Sequence, residues 1–257
     1  MGSIYYSDKG AGPPIILLHG FCETHAIWEE FSQALSTDYR VIAPDLPGFG
    51  ESHLPLNPFT IADIGNLLIL WLSGLNLDKP IIIGHSLGGY IALAMAEKNP
   101  DYFDGIGLFH STPFPDSEEK KINRNRTIDF VKTYGVPAFV ETFVPGLFFQ
   151  KQHPAIPFIK KIALSTSMEC FVAYTIAMRD RPSMEEFLRV CSINRLILAG
   201  KHDSFITLES SEKMASLSFN TYYRILENAG HLAMFENFPD ALTGMREFIM
   251  LCRSKRD

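Results

Sequence analysis

The stretch that most constrains this chain is Pro80-Ile81-Ile82-Ile83-Gly84-His85-Ser86-Leu87-Gly88-Gly89-Tyr90-Ile91-Ala92. Its first half is a β-branched apolar run, the mark of a strand covered on both faces. Its second half continues Leu93-Ala94-Met95-Ala96-Glu97-Lys98 and reads as a small-residue helix lying close to a sheet. Between them, Gly84-His85-Ser86-Leu87-Gly88 fits G-x-S-x-G, a nucleophile elbow. A strand that reverses directly into a helix brings backbone against backbone, and only residues without a Cβ fit there. Such a bend strains Ser86 and lifts its Oγ above the sheet edge. Leu87 opens the helix, so its N–H is a donor without a helical partner, suited to an oxyanion. An inert serine in a glycine turn would carry the same five residues. A reactive one needs a base, an acid and a second oxyanion donor from elsewhere.

Strand and helix patterns alternate on both sides of the elbow. A short edge strand over Ile4–Asp8 precedes a buried strand, Pro14–Leu18, which runs into His19-Gly20-Phe21-Cys22. A glycine just past a strand end lets the next N–H groups face a cavity, which makes the Phe21 N–H the second oxyanion candidate. His19 suits a bond to backbone, and Cys22 a small pocket-lining role. A helix over His25–Ser36, a strand over Tyr39–Ala43 and a glycine-rich loop over Asp45–Ser52 follow. Thr60 caps a helix over Ile61–Leu75, and the strand after the elbow covers Phe103–Phe109 and ends at His110-Ser111-Thr112. This alternation predicts an α/β fold, a mostly parallel sheet with crossover helices on both faces.

From Pro113 to Pro182 the alternation stops. Helical patterns around Ile128–Tyr134, Ala138–Phe143, Ile156–Leu164 and Met168–Met178 are broken by Pro137, Pro145, Pro154 and Pro157. We read residues 113–182 as a helical cap over the carboxyl end of the sheet, and residues 1–112 and 183–257 as the core domain. Eight of the chain's twenty phenylalanines lie between Phe114 and Phe171, more than that length would carry by share. Most should form the cap's own core, with a minority, Phe139 and Phe143, facing a lipophilic pocket. Alternation then resumes. A helix over Ser183–Val190 leads to a strand over Ile193–Ala199 that ends in Gly200-Lys201-His202-Asp203. A helix over Leu208–Leu217 leads to a strand over Thr221–Leu226 that ends in Glu227-Asn228-Ala229-Gly230-His231. Pro239 opens a closing helix to Cys252.

Ser86, Asp203 and His231 each sit just past a predicted strand, so a parallel sheet would bring them to one edge. The chemistry requires these residue types. A serine hydroxyl is a poor nucleophile at neutral pH, and an imidazole can take its proton as it attacks a carbonyl. A carboxylate on the far side of the ring fixes the tautomer and steadies the imidazolium. Asp203 suits that role better than the alternatives. The strand after the elbow offers no carboxylate before Asp116, and Asp45 is expected to order its own loop. His110 is a candidate pocket residue or a buried loop histidine, and His85 should point away from Ser86.

The remaining composition excludes more than it proposes. A net charge of −6 argues against a nucleic-acid partner. No apolar run reaches a membrane-span length, and Met1–Tyr6 lacks signal-peptide character. The four cysteines lack metal or disulfide spacing and suit reduced thiols in the cytoplasm. No metal and no cofactor is expected. The oligomeric state stays open.

His19-Gly20-Phe21, Asp45-Leu46-Pro47-Gly48-Phe49-Gly50-Glu51-Ser52, Gly84-His85-Ser86-Leu87-Gly88-Gly89, Gly200-Lys201-His202-Asp203 and Gly230-His231 with Glu236 and Pro239 together resemble the α/β-hydrolase superfamily over nearly the whole chain. The resemblance implies a serine hydrolase cleaving a small to medium carboxylic ester through an acyl-enzyme. Ser86 argues against the dehalogenases and epoxide hydrolases of the superfamily, which use an aspartate nucleophile. Gly88-Gly89 resembles the esterase-like pattern more than the receptor-like one. The nearest rival is a C–C bond hydrolase of dienoic diketones, which needs polar or cationic groups for a substrate carboxylate; Lys132 or Arg179 could serve, although solvated surface positions suit them better. Enol-lactonase, thioesterase, perhydrolase and a hydrolase-fold receptor with vestigial turnover are the others.

Overall fold

Among the described residues, seven strands form one sheet: β1 (Tyr6–Lys9), β2 (Pro14–Leu18), β3 (Arg40–Pro44), β4 (Ile81–His85), β5 (Gly105–Phe109), β6 (Asn194–Gly200) and β7 (Thr221–Leu226). The computed structural model describes residues 3–55 and 58–254. In space the order is β1-β3-β2-β4-β5-β6-β7. Only β1 is antiparallel to its neighbour; the rest run parallel. The helices are α1 (Glu29–Leu35), α2 (Ile61–Ser73), α3 (Leu87–Lys98), α4 (Glu118–Leu147), α5 (Ile156–Ala163), α6 (Met168–Arg179), α7 (Glu185–Val190), α8 (Leu208–Ala215), α9 (Ala233–Glu236) and α10 (Phe238–Arg253).

Side chains alternate between sheet faces with a period of two residues. Ile15, Leu17, Ile81, Ile83, Leu196 and Leu198 therefore share one core with Phe31 and Leu35 of α1 and Met245 and Phe248 of α10. Ile16, Leu18, Ile82 and Ile197 share the other with Leu68 and Leu72 of α2 and Ile91 and Met95 of α3. Each fully buried aliphatic side chain stabilises the fold by roughly 1.5–3 kcal/mol, so an unbroken isoleucine run is favourable only where both faces are covered. That is the reason β4 sits near the middle of the sheet.

The strand order creates the site. From β2 the chain moves outward to β3, crosses back over β2 to β4, and then proceeds the other way to β5, β6 and β7. The loops after β2 and β4 diverge, and a parallel sheet opens its ligand crevice at such a switch point. His85 pairs with Phe109, Phe109 with Leu198, and Gly200 with Leu226. The segments that follow β4, β5, β6 and β7 thus leave along one edge.

Several boundaries differ from the sequence expectation. The helix expected over residues 25–36 begins as a 3₁₀ turn, His25–Trp28, with Thr24 as its cap. Helix α4 starts at Glu118, within the charged run before the first expected helical pattern. Its bend falls at Gly135 (φ +83°, ψ 162°) and not at Pro137. Pro137 lies in the first turn beyond the bend, where a missing N–H costs nothing. Pro145 lies in the last turn of α4 without ending it. Helices α4 and α6 pack together, as do α4 and α5. The Met184 N–H donates to the Pro113 carbonyl at 2.8 Å, so the segment between them leaves and rejoins the sheet at one place.

Candidate active site

The elbow is a place of backbone compression. A Cβ on Gly84 would stand 2.2 Å from the Gly88 carbonyl carbon, and one on Gly88 would stand 2.5 Å from the Leu18 carbonyl oxygen. Ser86 takes φ +49° and ψ −112°, a sparsely populated conformation that costs about 1–3 kcal/mol. Hydrogen bonds to its backbone hold it there. The Ser86 N–H donates to the Phe109 carbonyl (3.0 Å), and the Ser86 carbonyl accepts from the Gly89 N–H (3.0 Å) and from Ser111 Oγ (2.7 Å). Ser86 is partly exposed, whereas every neighbour from Ile81 to His85 is buried. The N–H groups of Phe21 and Leu87 find no protein acceptor among the described residues. Leu87 is the first residue of α3, so its N–H points out of the helix start.

His231 Nδ1 lies 2.8 Å from Asp203 Oδ2. The other oxygen, Oδ1, accepts the N–H groups of Phe205 (2.8 Å) and Ile206 (3.0 Å). His110 Nδ1 stands 3.1 Å from Oδ2 as well. The Gly200 N–H also approaches that nitrogen, at 3.2 Å. A ring nitrogen cannot donate and accept at once, and the charged carboxylate is the stronger partner. Burial alone would raise the Asp203 pKa, but the His231 and His110 rings outweigh it and hold the carboxylate ionised. Burial pushes His110 down to about 4, so it is a neutral donor. His110, Asp203 and His231 are near enough to ligate a cation. Four N–H donors already fill the lone-pair directions of the carboxylate, so the cluster reads as a hydrogen-bonded relay. No hydrogen bond joins Ser86 Oγ to His231 in this conformation. Such bonds often tighten only with substrate in place.

A second buried pair lies behind the elbow. His85 Nδ1 is 2.9 Å from Glu23 Oε2, and His85 Nε2 is 2.9 Å from the His231 carbonyl oxygen. Both ring nitrogens face oxygens, and an imidazolium opposite the Glu23 carboxylate satisfies both. Burial would lower the His85 pKa, yet the Glu23 carboxylate turns the balance and raises it. Burial would likewise raise Glu23, and His85 brings it down. The Gly20 N–H donates to the same Glu23 oxygen at 2.6 Å. This ion pair ties the loop after β2, the elbow and the His231 backbone together. Sequence reasoning missed Glu23, because a lone glutamate in a loop carries no pattern. His19 is neutral by contrast: its Nε2 accepts from the Leu46 N–H and its Nδ1 donates to the Gly20 carbonyl, each at 2.8 Å.

A cavity of about 340 Å³ lies over Ser86 and His231. Phe21, Phe139, Phe143, Leu147 and Phe205 line its apolar part, and Lys120, Asn123, Arg124 and Thr127 its polar part. The rings of Phe21, Phe171, Phe139, Phe143, Phe205 and His231 follow one another at 4.6–5.8 Å between centroids. Two expected pocket residues lie elsewhere. Cys22 is packed into the core at φ +58°, because the turn after Gly20 directs it inward. His110 stands behind Asp203. Lys132 and Arg179, better suited to solvated surface than to a substrate carboxylate, lie outside the cavity too. Arg179 is paired with Asp180 and Asn125, and Lys132 borders a separate groove with Phe59 and Met168. Among the described residues no helix is long and apolar enough to cross a membrane.

These arrangements can be set beside known proteins. A family profile described as the alpha/beta hydrolase fold matches residues 13–131. A thermophilic esterase from Thermogutta terrifontis, solved with malate bound, superposes with a TM-score of 0.91. The two are 31% identical, and the match covers 98% of this chain and 94% of the other. A 2-hydroxy-6-oxo-6-(2'-aminophenyl)hexa-2,4-dienoic acid hydrolase of Metapseudomonas resinovorans is 24% identical over 95% of this chain and 86% of its own. An uncharacterized protein of Mycobacterium tuberculosis is 37% identical over 99 residues, 38% of this chain but only 29% of that protein's length. With a parallel sheet, a strained serine at the β4–α3 bend and an esterase related along its full length, the chain belongs to the α/β-hydrolase superfamily.

Proposed function

We propose that this chain is a serine hydrolase of carboxylic esters. The observation that carries the reading is the Asp203–His231 bond at 2.8 Å, facing a cavity that the strained Ser86 also lines. Ser86 Oγ attacks the ester carbonyl as His231 Nε2 takes its proton. The Phe21 and Leu87 N–H groups bind the oxyanion, each such donor being worth about 10²–10³ in turnover. Collapse expels the alcohol, which receives the proton from His231, and leaves an acyl-Ser86. Water, deprotonated by His231, then attacks the acyl carbon, releases the acid and restores Ser86. Asp203 keeps His231 in the tautomer with its proton on Nδ1 throughout. Residues 113–182 act as a cap: Thr127, Phe139, Phe143, Leu147 and Met178 of that segment line the cavity.

One feature favours a second reading, C–C bond cleavage on the same triad. The relative that matches 95% of this chain is a dienoic acid hydrolase, although at 24% identity. Ester and dienoic diketone substrates distinguish the two directly.

Ser86→Ala tests the mechanism. It should abolish hydrolysis of p-nitrophenyl acetate while leaving the melting temperature within a few degrees of the parent. Retained turnover in that variant would sink the assignment.

A further inference from the structure

The cavity wall is positively charged in a chain whose net charge is −6. Asp116, Lys120 and Arg124 line it together. Asp116 is buried and holds two guanidiniums at once: Arg124 Nε on Oδ2, and Arg181 Nη1 on Oδ1 at 2.7 Å. Arg181 is spent further on the carbonyls of Met178 and Phe114 and stacks on Tyr90. Arg124 is not. Beyond Asp116, its only other side-chain hydrogen bond among the described residues is a weak one from Nη1 to the Met178 sulfur at 3.7 Å. The Asp116 pair therefore fixes the guanidinium and leaves its outer N–H groups toward the cavity.

Lys120 is the second unspent cation. It lies in the first turn of α4, where a positive charge opposes the helix dipole. Its neighbour Lys121 is neutralised by Glu118 at 2.7 Å. Lys120 makes no ion pair among the described residues. Its Nζ reaches only the Phe205 carbonyl oxygen, at 3.5 Å. The Phe205 ring in turn stands 5.1 Å from the His231 ring. At the cavity Lys120 and Arg124 stand beside Asp116, whose charge Arg181 also meets from outside the lining. A cleft whose charges leave a positive excess attracts the opposite charge.

We propose that the cavity takes an ester bearing a second, anionic group, a carboxylate, which Lys120 and Arg124 bind while the aromatic wall holds the carbon chain between. The inference rests on the ester-hydrolase reading and names its substrate class. The carboxylate belongs to the acyl or to the alcohol half, and two probes tell them apart. Monomethyl adipate carries it on the acyl side, and ω-acetoxyhexanoate carries it on the alcohol side. Methyl hexanoate and hexyl acetate are their uncharged counterparts.

The test has a binding arm and a turnover arm. In the Ser86→Ala protein, calorimetric titration should show one charged probe binding about fivefold to tenfold more tightly than its neutral counterpart, as one or two exposed charge pairs allow. The ratio should shrink in about 0.5 M salt. Lys120→Glu in the same background should erase or invert it. Glutamate suits the first turn of a helix, so this variant keeps the fold. Lys161→Glu, exposed on α5 outside the cavity lining, alters the net charge equally and should leave the ratio unchanged. In the wild type the same ratio should appear in kcat/KM, chiefly through KM. Equal binding of charged and neutral probes would overturn the proposal, as would a preference that survives Lys120→Glu. Charge-selective binding with no ester turnover by the wild type would uphold the anion subsite and sink the ester reading.

Discussion

Glu23 and His85 carry opposite charges where water does not reach, and their side chains are 2% and 1% exposed. Breaking such a buried pair on one side costs about 3–5 kcal/mol. Glu23→Gln should therefore lower stability by about 3 kcal/mol near pH 6. The pH dependence follows from the two directions of shift. His85 is raised, so its contribution is complete below the unfolded histidine value, about 6.5, and is lost as pH climbs through the folded value. Glu23 is lowered, so its contribution is complete above about 4.3 and is lost as pH falls through its folded value. Denaturation of the wild type should thus show a decline above about pH 6.5 that Glu23→Gln lacks. Identical slopes in the two proteins would mean that His85 is not an imidazolium. Because the pair bonds the Gly20 N–H and the His231 carbonyl, the variant should also lose turnover, through kcat more than KM.

Among the elements, α4 has the conformation least expected from its sequence. Its bend at Gly135 turns the second half, with Phe139, Phe143 and Leu147, onto the cavity. The loop of His231 is fastened to the end of that half, since the His231 N–H donates to the Leu147 carbonyl at 2.8 Å. At φ +83° and ψ 162° a side chain is disfavoured whatever space surrounds it. Gly135→Ala should cost about 1–3 kcal/mol in chemical denaturation, and it should lower kcat/KM as the aromatic wall shifts. An unchanged denaturation midpoint would show that the bend relaxes freely. The proline at 137 was legible as a break. The two-residue offset was not, because a proline restricts the residue directly before it, here Val136, and points to no bend at Gly135.

Across the whole molecule, the two sheet faces bury most of the sulfur chemistry. Cys22 and Cys170 are 1% and 0% exposed, and Cys191 is partly exposed. Burial pushes the Cys170 thiol up to about 12 and the Cys22 thiol well above its ordinary value. Iodoacetamide at mildly alkaline pH should alkylate Cys191 first. Cys22 and Cys170 should react only as fast as the protein opens. Peptide mapping by mass spectrometry reads the order, and early labelling of Cys170 would contradict the packing of α6 against α4, α2 and the loop after β3.

The alternation of strand and helix, the glycine-framed bend at Ser86 and the chain order Ser86, Asp203, His231 are local patterns, and one chain displays them unaided. Period-two burial and backbone compression act over a few residues, so the α/β architecture was readable before any folding. Other features depend on which segments the sheet brings together. Glu23 meets His85 across 62 residues, and His110 meets Asp203 across 93. Lys120 and Arg124 stand at the cavity, while Lys132 and Arg179 of the same helical segment do not. Helical phase separates Lys120 and Arg124 from Lys132 along the first half of α4, and Arg179 belongs to another helix, α6. A charge takes its meaning from what faces it, and only the tertiary structure supplies the facing group.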